Sequence, residues 1–186
     1  MTETAPVERE VKLAFESAEQ ARQALSGLGA TPLKGRRLQD DRLLDTRDDA
    51  LKQRRCALRV RMEGDESRLT FKGPVQPGPV KVREELETPV GDGTLVLRLL
   101  AELGYRPWFR YQKYREEYSL PGLVVAIDET PIGVFVELEG VQAAIEETSA
   151  RLGRTRADYV LESYFTLFQQ WCAERGSSKA HMVFGA

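Results

Sequence analysis

The chain has 186 residues with a formal net charge of −2, and its apolar and charged contents are 41% and 30%. These values are typical of one soluble globular domain, and the near-neutral charge does not favour binding of nucleic acid or anionic membrane through the whole surface. The single histidine, His181, lies near the C-terminus, so histidine-based triads and histidine-rich zinc sites are all but excluded and carboxylates, lysines, arginines and a metal must supply any chemistry.

The cysteines and the hydropathy pattern favour a cytoplasmic protein. Cys56 and Cys172 lie far apart without the spacing of metal ligands, which favours two reduced thiols over a disulfide. The first ten residues lack the apolar core of a signal peptide, and no run approaches ~18 apolar residues. We therefore expect a soluble cytoplasmic protein without membrane contact.

The first half of the chain is rich in strand patterns. Residues 7–15 alternate as a strand, and 17–28 are predicted as a helix with Ser17 at its N-cap and Gly29 after its end. Further strands are predicted over 38–46, 57–63, 68–72 and 80–88, with a loop at 73–79. The strands 57–63 and 68–72 are close enough to form a hairpin.

The second half contains more helix. Residues 94–103 have helical periodicity, and strands are predicted over 108–119, 123–128 and 134–139. Helices over 145–152 and 158–174 complete the pattern, and the apolar face of the last helix is expected to pack on the strands. We expect one domain over residues 1–186, with its core at about 7–170 and a flexible tail at 175–186.

The predicted strands place charged residues on one face and apolar residues on the other. Alternate residues of a strand face opposite sides of a sheet, so the two faces can be assigned directly. The first strand sets Val11 and Leu13 against Glu10 and Lys12. Glu-x-Glu occurs in three strands, as Glu8/Glu10, Glu85/Glu87 and Glu137/Glu139. Phe135 is an exception, because it shares a face with the last of these pairs.

Two interpretations of the charged face remain open. An antiparallel sheet commonly exposes one polar face to solvent. The alternative is a closed barrel with a charged lumen, whose charges must be paired, hydrated or neutralised by a ligand and a metal. Converging lysines and arginines suit a polyanion, and carboxylates among them suit a hard cation such as Mg²⁺ bridging to phosphate. The second interpretation predicts a metal–polyphosphate site.

The order of the charged motifs resembles the CYTH superfamily, also called triphosphate tunnel metalloenzymes, over about residues 7–170. The first motif is Glu-x-Glu-x-Lys at Glu8, Glu10 and Lys12. The motifs that follow in order are Gln39/Asp41/Asp45, Arg59/Arg61, Lys72, Arg83/Glu85, Lys113/Arg115, Asp128 and Glu137/Glu139. Leu43 and Leu44 stand where many relatives carry aromatic residues, which weakens the case for nucleobase stacking at that point.

The resemblance implies an α+β fold, with an eight-stranded antiparallel β-barrel forming a tunnel and helices packed outside. The cations implied to hold the triphosphate are Lys12, Arg59, Arg61, Lys72, Arg83, Lys113 and Arg115. The carboxylates implied to bind Mg²⁺ or Mn²⁺ are Glu8, Glu10, Glu137 and Glu139, with Glu85 and Asp128 as further or outer ligands. The residues expected to be catalytic are Glu8, Glu10, Lys12, Glu137 and Glu139. Lys81, Glu63 and Glu117 share the charged face but fit the motifs less well.

The resemblance favours a metal-dependent triphosphatase, in which metal-activated water attacks the terminal phosphorus of tripolyphosphate or an organic triphosphate. The main alternative is a class IV-type adenylyl cyclase that converts ATP to cyclic AMP and pyrophosphate. A third reading is a non-catalytic polyphosphate-binding module, which the complete set of Glu-x-Glu carboxylates disfavours. The expected partner is a small triphosphate-bearing substrate rather than a nucleic acid polymer, and a homodimer is left open.

Overall fold

The alternating segments form an antiparallel β-barrel in the computed structural model, which describes residues 7–185. Within that range the strands are β1 (Val7–Phe15), β2 (Thr31–Asp45), β3 (Ala57–Glu63), β4 (Glu66–Lys72), β5 (Lys81–Val90), β6 (Arg106–Leu120), β7 (Leu123–Thr130) and β8 (Gly133–Gly140). Their order around the barrel is β1-β5-β4-β3-β2-β6-β7-β8, and β8 pairs with β1 to close it. The predicted eight-stranded antiparallel barrel is confirmed.

Helices pack around the outside of the barrel. They are α1 (Ala18–Gly27), α2 (Ala50–Gln53), α3 (Gly93–Glu102), α4 (Gln142–Arg151) and α5 (Tyr164–Arg175), with a 3₁₀ turn at Arg156–Asp158. The Ser17 hydroxyl accepts the Gln20 N–H and caps α1 as predicted. None of these helices, which belong to residues 7–185, is long and apolar enough to span a bilayer.

The predicted helix over 158–174 is wrong at its N-terminal end, since α5 begins only at Tyr164. Val160 instead forms a β-bridge with Lys12, exchanging backbone hydrogen bonds of 2.9 and 3.2 Å. β1 pairs with β5 only as far as Glu10, so the backbone of Lys12 needs another partner on that side. That tertiary requirement outweighs the local helical pattern.

The strand β2 and the segment after it also differ from prediction. β2 begins at Thr31 rather than 38. Its first half has little apolar alternation and is extended because it pairs with β6. The short α2 was not predicted. The buried carboxylate of Asp45 accepts the N–H groups of Thr46, Leu51 and Lys52, and so organises the β2–β3 connection.

The main apolar core lies between the outside of the barrel and the helices. Val11, Leu13 and Val136 face outward from β1 and β8 and pack with Leu25 of α1 and Ile145 of α4, all of them at most 1% exposed. The apolar face of each strand is therefore its outer face. As a consequence, the charged face points into the barrel, which is the less common of the two arrangements considered from the sequence.

A second core, made of aromatic residues, borders the charged interior. Phe109, Tyr111 and Phe135 pack there against Tyr164 and Phe168 of α5. Phe135 breaks the alternation of β8 because it lies inside the barrel where the lining changes from charged to aromatic. The prediction that the last helix packs its apolar face on the barrel is confirmed.

The structure differs from the expected flexible tail at residues 181–184. Met182 is fully buried, and its backbone pairs with β6 through hydrogen bonds of 3.1 Å to Arg110 and 2.8 Å from Gln112. The ring of Phe184 lies 5.1 Å from that of Tyr114. β7 pairs with β6 only from Tyr114 onward. The part of β6 before Tyr114 therefore has a free edge, which the C-terminal segment covers. Residues 1–6 and 186 lie outside the described residues.

Candidate active site

The charged faces of the strands converge on a cavity of about 400 Å³ inside the barrel. Among the residues that the structure describes, eight cationic side chains line it: Lys12, Arg59, Arg61, Lys72, Lys81, Arg83, Lys113 and Arg115. Seven carboxylates of the described residues line it as well: Glu8, Glu10, Glu85, Glu87, Glu117, Glu137 and Glu139. The lining therefore combines a high density of charge with almost no net charge.

The structure brings together nearly all of the site residues predicted from sequence. All seven cations expected to hold a triphosphate line this cavity, and so do Glu8, Glu10, Glu85, Glu137 and Glu139. Asp128 does not line it, because its carboxylate is completely buried behind two of the cations. Asp128 is thus placed to orient cations rather than to reach a ligand in the cavity.

Lysines and an arginine hold the carboxylates of the first motif. Lys72 Nζ donates to both oxygens of Glu8 at 2.8 and 3.0 Å, and Arg83 Nε donates to Glu8 Oε2 at 3.2 Å. Glu10 Oε1 accepts from Lys81 at 2.5 Å and from Lys12 at 3.3 Å. Burial opposes ionisation of Glu10, but Lys12 and Lys81 hold its pKa well below its ordinary value. Both carboxylates are therefore ionised at neutral pH.

Glu139 is the exception among the cavity carboxylates. It forms no hydrogen bond or ion pair with another residue of the described range 7–185. Glu139 is exposed to solvent at the end of β8. Desolvation by the surrounding lining and the neighbouring carboxylates of Glu8, Glu10 and Glu137 nevertheless raise its pKa from 4.5 to about 7. The strand register explains the crowding, because Glu10 lies directly opposite Glu139. This repulsion is not offset by a contact between Glu139 and a described lysine or arginine, and a bound cation would relieve it.

The carboxylates of β1 and β8 fit a hard divalent cation by their chemistry. They supply only oxygen ligands, which Mg²⁺ and Mn²⁺ favour, and their mutual repulsion at Glu139 is what a bound cation would remove. As placed, no three acidic, histidine or cysteine residues between Val7 and Gly185 are grouped closely enough to hold a metal. The carboxylates of Glu8 and Glu10 are turned toward lysines, so those contacts would have to rearrange for a metal to bind there.

Asp128 organises the cations on the opposite side. Its carboxylate accepts from Lys113 Nζ at 2.6 Å, from Arg115 Nε at 2.7 Å and from the Tyr164 hydroxyl at 2.7 Å. Arg115 also donates to Glu137. Burial works against the charge, but Arg115 and Lys113 keep the pKa of Asp128 below its ordinary value. The hydroxyl of Tyr164 links α5 to this network.

Asp41 plays the same part for the arginines of β3. Arg61 forms a bidentate pair with the fully buried Asp41 at 2.8 and 3.0 Å, while Arg59 Nε lies 3.7 Å from the same carboxylate. Arg59 Nε is buried and has no hydrogen-bond partner among residues 7–185. A buried donor without a partner is costly, which is expected where a ligand is to accept its hydrogen bond.

Several lining residues were not selected from the sequence motifs. Lys81 and Glu117 share the strand face of their neighbours, which was a usable signal. Glu87 is part of a recognised Glu-x-Glu pair but was not assigned a role, and it accepts from Thr70 Oγ1 at 2.9 Å. Ser163 and Phe165 could not have been found by strand parity, because they come from α5 and from the residue that caps it.

One end of the cavity is apolar. Leu43, Ala57 and Phe165 line it where β2 ends and β3 begins, next to the hydroxyl-bearing Tyr111 and Tyr164. Phe165 packs edge-on against Trp108, with ring centroids 4.7 Å apart. This end can contact an uncharged part of a ligand, whereas the rest of the lining suits an anion.

Comparison with known proteins gives matches over most of the chain. A model of the CYTH domain matches residues 7–164. A protein of Methanocaldococcus jannaschii described as a putative adenylate cyclase is 28% identical over 142 residues, which are 76% of this chain and 81% of the relative. The PH1012 protein of Pyrococcus horikoshii has a similar structure, with a TM-score of 0.74 and 24% identity over 86% of this chain and 98% of its own. A Hippeastrum protein described as having a dominant triphosphatase activity aligns with a TM-score of 0.65 and 21% identity, over 88% of this chain and 95% of its own.

Proposed function

The chain belongs to the CYTH domain family, and from that premise we propose that it is a metal-dependent hydrolase of triphosphate substrates. Inorganic tripolyphosphate or an organic triphosphate would occupy the barrel cavity, and water would attack the terminal phosphorus. The single observation that carries this proposal is the convergence of eight cationic side chains on one cavity of about 400 Å³. A triphosphate can accept hydrogen bonds from several of these cations at once, which few other small anions can do.

The cations would share the phosphoryl oxygens among several strands. Arg59 offers its unpartnered Nε, and Arg61 and Arg115 are fixed by bidentate contacts to Asp41 and Asp128. Guanidinium groups held in this way are oriented before the substrate arrives, which lowers the entropic cost of binding. Fixed cations of this kind also stabilise negative charge that develops on the phosphoryl and leaving oxygens.

A divalent cation is part of the proposal, because the lining alone cannot neutralise the substrate. The eight cations of the lining are almost balanced by seven carboxylates, whereas a triphosphate adds several negative charges. Glu8, Glu10, Glu137 and Glu139 would hold Mg²⁺ or Mn²⁺, and Glu85 lies close enough to Lys72, at 2.7 Å, to support them indirectly. When bound, the metal lowers the pKa of a coordinated water and offsets phosphate charge, so no histidine base is needed.

An adenylyl cyclase is the second candidate, and one observation favours it. The apolar end formed by Leu43, Ala57 and Phe165 can contact an organic group joined to the triphosphate. The Methanocaldococcus jannaschii relative is described as a cyclase, whereas the structurally similar Hippeastrum protein is described as mainly a triphosphatase. Hydrolysis requires only the cavity, the metal and water, and it does not require a pocket that orients a ribose hydroxyl. We therefore place the triphosphatase first.

The test is to incubate the purified protein with tripolyphosphate and, separately, with ATP, in Mg²⁺, in Mn²⁺ and in EDTA. Phosphate, pyrophosphate and cyclic AMP are quantified in the same samples. We expect release of phosphate that depends on the metal, without cyclic AMP. Comparison of the two substrates shows whether the nucleoside contributes to turnover.

Other outcomes would change the assignment. Cyclic AMP with an equal amount of pyrophosphate would establish the cyclase instead. Tight binding of tripolyphosphate with no product would favour a non-catalytic polyphosphate-binding module. Glu137→Gln with Glu139→Gln separates enzyme from module, because an enzyme loses turnover and keeps substrate affinity, whereas a module binds as before or more tightly.

A further inference from the structure

Lys81 is a cavity cation to which the family motifs assign no role. It is the first residue of β5 and lies opposite Glu10 of β1 in the strand register. Its side chain is only 6% exposed, and its ammonium group donates to Glu10 Oε1 at 2.5 Å. Lys81 therefore contacts one of the carboxylates that would hold the divalent cation.

Glu10 is over-supplied with positive charge in this arrangement. Lys12 Nζ also lies 3.3 Å from the same oxygen, Oε1, so two ammonium groups share one carboxylate oxygen. A divalent cation bound to that oxygen would come within a few ångströms of both ammonium groups. Repulsion between like charges at such a distance in a buried site is strong. At least one lysine must leave Glu10 when the metal arrives.

Lys81 is better suited to leave than Lys12. Lys12 has a second carboxylate, that of Glu137, at 3.7 Å from its Nζ, and its ammonium faces the ring of Tyr164. Lys81 forms its one ion pair within the described residues with Glu10, and Lys12 and Arg83 surround it with positive charge. It also lines the cavity that the triphosphate would enter. An anion there would attract the flexible lysine side chain away from Glu10.

We propose that Lys81 moves from Glu10 to a phosphoryl oxygen when the triphosphate binds, so that substrate and divalent cation bind cooperatively. This inference rests on the proposed function, because it assumes a triphosphate and a metal in the cavity. Without triphosphate, Lys81 competes with the metal for Glu10. With triphosphate, the same ammonium group binds phosphate and the carboxylate becomes available.

Thermodynamic linkage makes the proposal measurable. If the triphosphate raises the affinity for metal by some factor, the metal raises the affinity for triphosphate by the same factor. Lys81→Met removes the competing charge but leaves Lys12 on Glu10, so the carboxylate keeps a partner. This variant should bind metal well without triphosphate, and its cooperativity should be reduced.

The experiment measures binding of Mn²⁺ from the electron paramagnetic resonance signal of the free ion. Titrations are run with and without the imido analogue of tripolyphosphate, which resists hydrolysis, and the Mn²⁺ that the analogue chelates in a protein-free titration is subtracted. For the unmodified chain we expect the analogue to raise Mn²⁺ affinity on the order of 10-fold or more. For Lys81→Met we expect Mn²⁺ affinity without analogue to rise by about 10-fold and the effect of the analogue to shrink.

Arg22→Met is the control. It also removes a cation that contacts a carboxylate, but that carboxylate is Glu116, on the outside of the barrel. Its Mn²⁺ affinity without analogue should stay within about threefold of the unmodified chain. Lys81→Gln serves as a second neutral variant if methionine impairs folding. The effect of the analogue on Mn²⁺ affinity is measured on the unmodified chain and needs no substitution.

Two results would overturn the inference. One is an unchanged Mn²⁺ affinity in both Lys81 variants, and the other is an equal rise in Arg22→Met. If tripolyphosphate is still hydrolysed in those cases, the proposed function stands and only the role of Lys81 fails. If Mn²⁺ binds to none of the proteins even with analogue present and no hydrolysis occurs, both proposals fail together.

Discussion

At the scale of single residues, the cavity is a set of mutually compensating charges. Glu8 pairs with Lys72 and Arg83, and Asp41 and Asp128 hold arginines and a lysine in fixed positions. Desolvation of such charges largely cancels their attraction, so they contribute little net stability. Their main effect is to fix where each cation points. Glu139 lacks such a partner within residues 7–185, and its pKa is raised to about 7.

The pH dependence of stability should reveal Glu139 in the metal-free protein. Its folded pKa of about 7 exceeds the unfolded value of 4.5. The carboxyl group therefore contributes its full stability below about pH 4.5 and loses that contribution as pH rises through about 7. Glu139→Gln should match the unmodified chain at low pH and become the more stable protein above pH 7. Urea unfolding in EDTA across this range measures the difference.

Glu8→Gln is the matched variant, and its effect on stability should depend on pH in the opposite direction. Burial and Glu10 raise the pKa of Glu8, but Lys72 and hydrogen bonds bring it below 4.5 overall. The stability that Glu8 contributes is thus present at neutral pH and lost as pH falls through its folded pKa. Glu8→Gln should be less stable than the unmodified chain at pH 7. The same pH trend for both variants would contradict this account of the two carboxylates.

Tyr164 should connect the α5 helix to substrate binding. Its hydroxyl donates to Asp128 Oδ2 at 2.7 Å, and Asp128 in turn holds Lys113 and Arg115. Tyr164→Phe removes a buried hydrogen bond to a charged group and should lower the free energy of unfolding by about 1.5–3 kcal/mol. It should also weaken binding of tripolyphosphate, because the two cations lose part of their support. Urea unfolding and a binding titration measure the two effects.

Tyr118→Phe is the control for that substitution. The Tyr118 hydroxyl also donates to a carboxylate, Glu116 Oε2, at 3.0 Å, but this pair lies on the outside of the barrel beside Arg22. Its loss should cost less than about 1 kcal/mol and leave binding unchanged. Equal effects of the two substitutions on binding would show that Tyr164 does not act through the cavity.

At the scale of elements, the C-terminal segment acts as part of the barrel wall. Residues 181–184 cover the edge of β6 that β7 leaves free, and the inner face of that stretch of β6 carries Phe109 and Tyr111. Met182 anchors the segment, because its side chain is fully buried in the aromatic core. A segment that resembled a flexible tail in sequence therefore supports one end of the cavity.

Met182→Ala should release this segment. Truncation of a fully buried methionine is expected to cost about 2–5 kcal/mol of unfolding free energy. Hydrogen exchange of the Gln112 N–H, which donates to the Met182 carbonyl at 2.8 Å, should become faster. The neighbouring Val183 is only half-buried, so Val183→Ala should change both quantities much less. Unchanged exchange at Gln112 in Met182→Ala would show that the segment is held by other contacts.

At the scale of the whole molecule, a triphosphate should stabilise the barrel. A ligand that binds only the folded state, present at 100 times its Kd, adds about 2.7 kcal/mol. For a chain of this length that corresponds to a rise in Tm of roughly 5–10 °C. We expect this rise with Mg²⁺ and the imido analogue of tripolyphosphate, measured by thermal unfolding. High salt should reduce it, because the binding is electrostatic.

The controls for this measurement are orthophosphate and EDTA. Orthophosphate reaches fewer cations than a triphosphate and should raise Tm much less at equal concentration. With EDTA, the analogue should bind more weakly, since the seven cavity carboxylates oppose it without a metal. An equal Tm in all conditions would contradict a triphosphate site in the barrel.

Much of the fold could be predicted because alternation is a local property. The bounds of β1 and β3 were predicted correctly, since successive side chains in a strand must face opposite sides. The first half of β2 and the bridge at Val160 were missed for the opposite reason. Those residues take extended conformations because β6 and β1 offer unpaired backbone groups, and such partners are distant in sequence.

The residues of the candidate site were likewise predicted only in part. Seven motif cations and five carboxylates could be selected from their order along the chain, and the structure places them around one cavity. Asp128 was expected near the metal, but its burial behind Lys113 and Arg115 is visible only in three dimensions. Phe165 enters the site from α5 and Ser163 from the position that caps this helix, so no strand periodicity could identify them.

The sequence by itself determined that the strands have one apolar and one ionic face, and which residues belong to each. Only the tertiary structure decided that the ionic face points inward, because a strand has no inner or outer face until the sheet closes into a barrel. Closure follows from the pairing of β8 with β1, and α1 and α4 then cover the apolar outside. The same closure brings Glu10 opposite Glu139 and Lys81, which sets the charges that a metal and a triphosphate would rearrange.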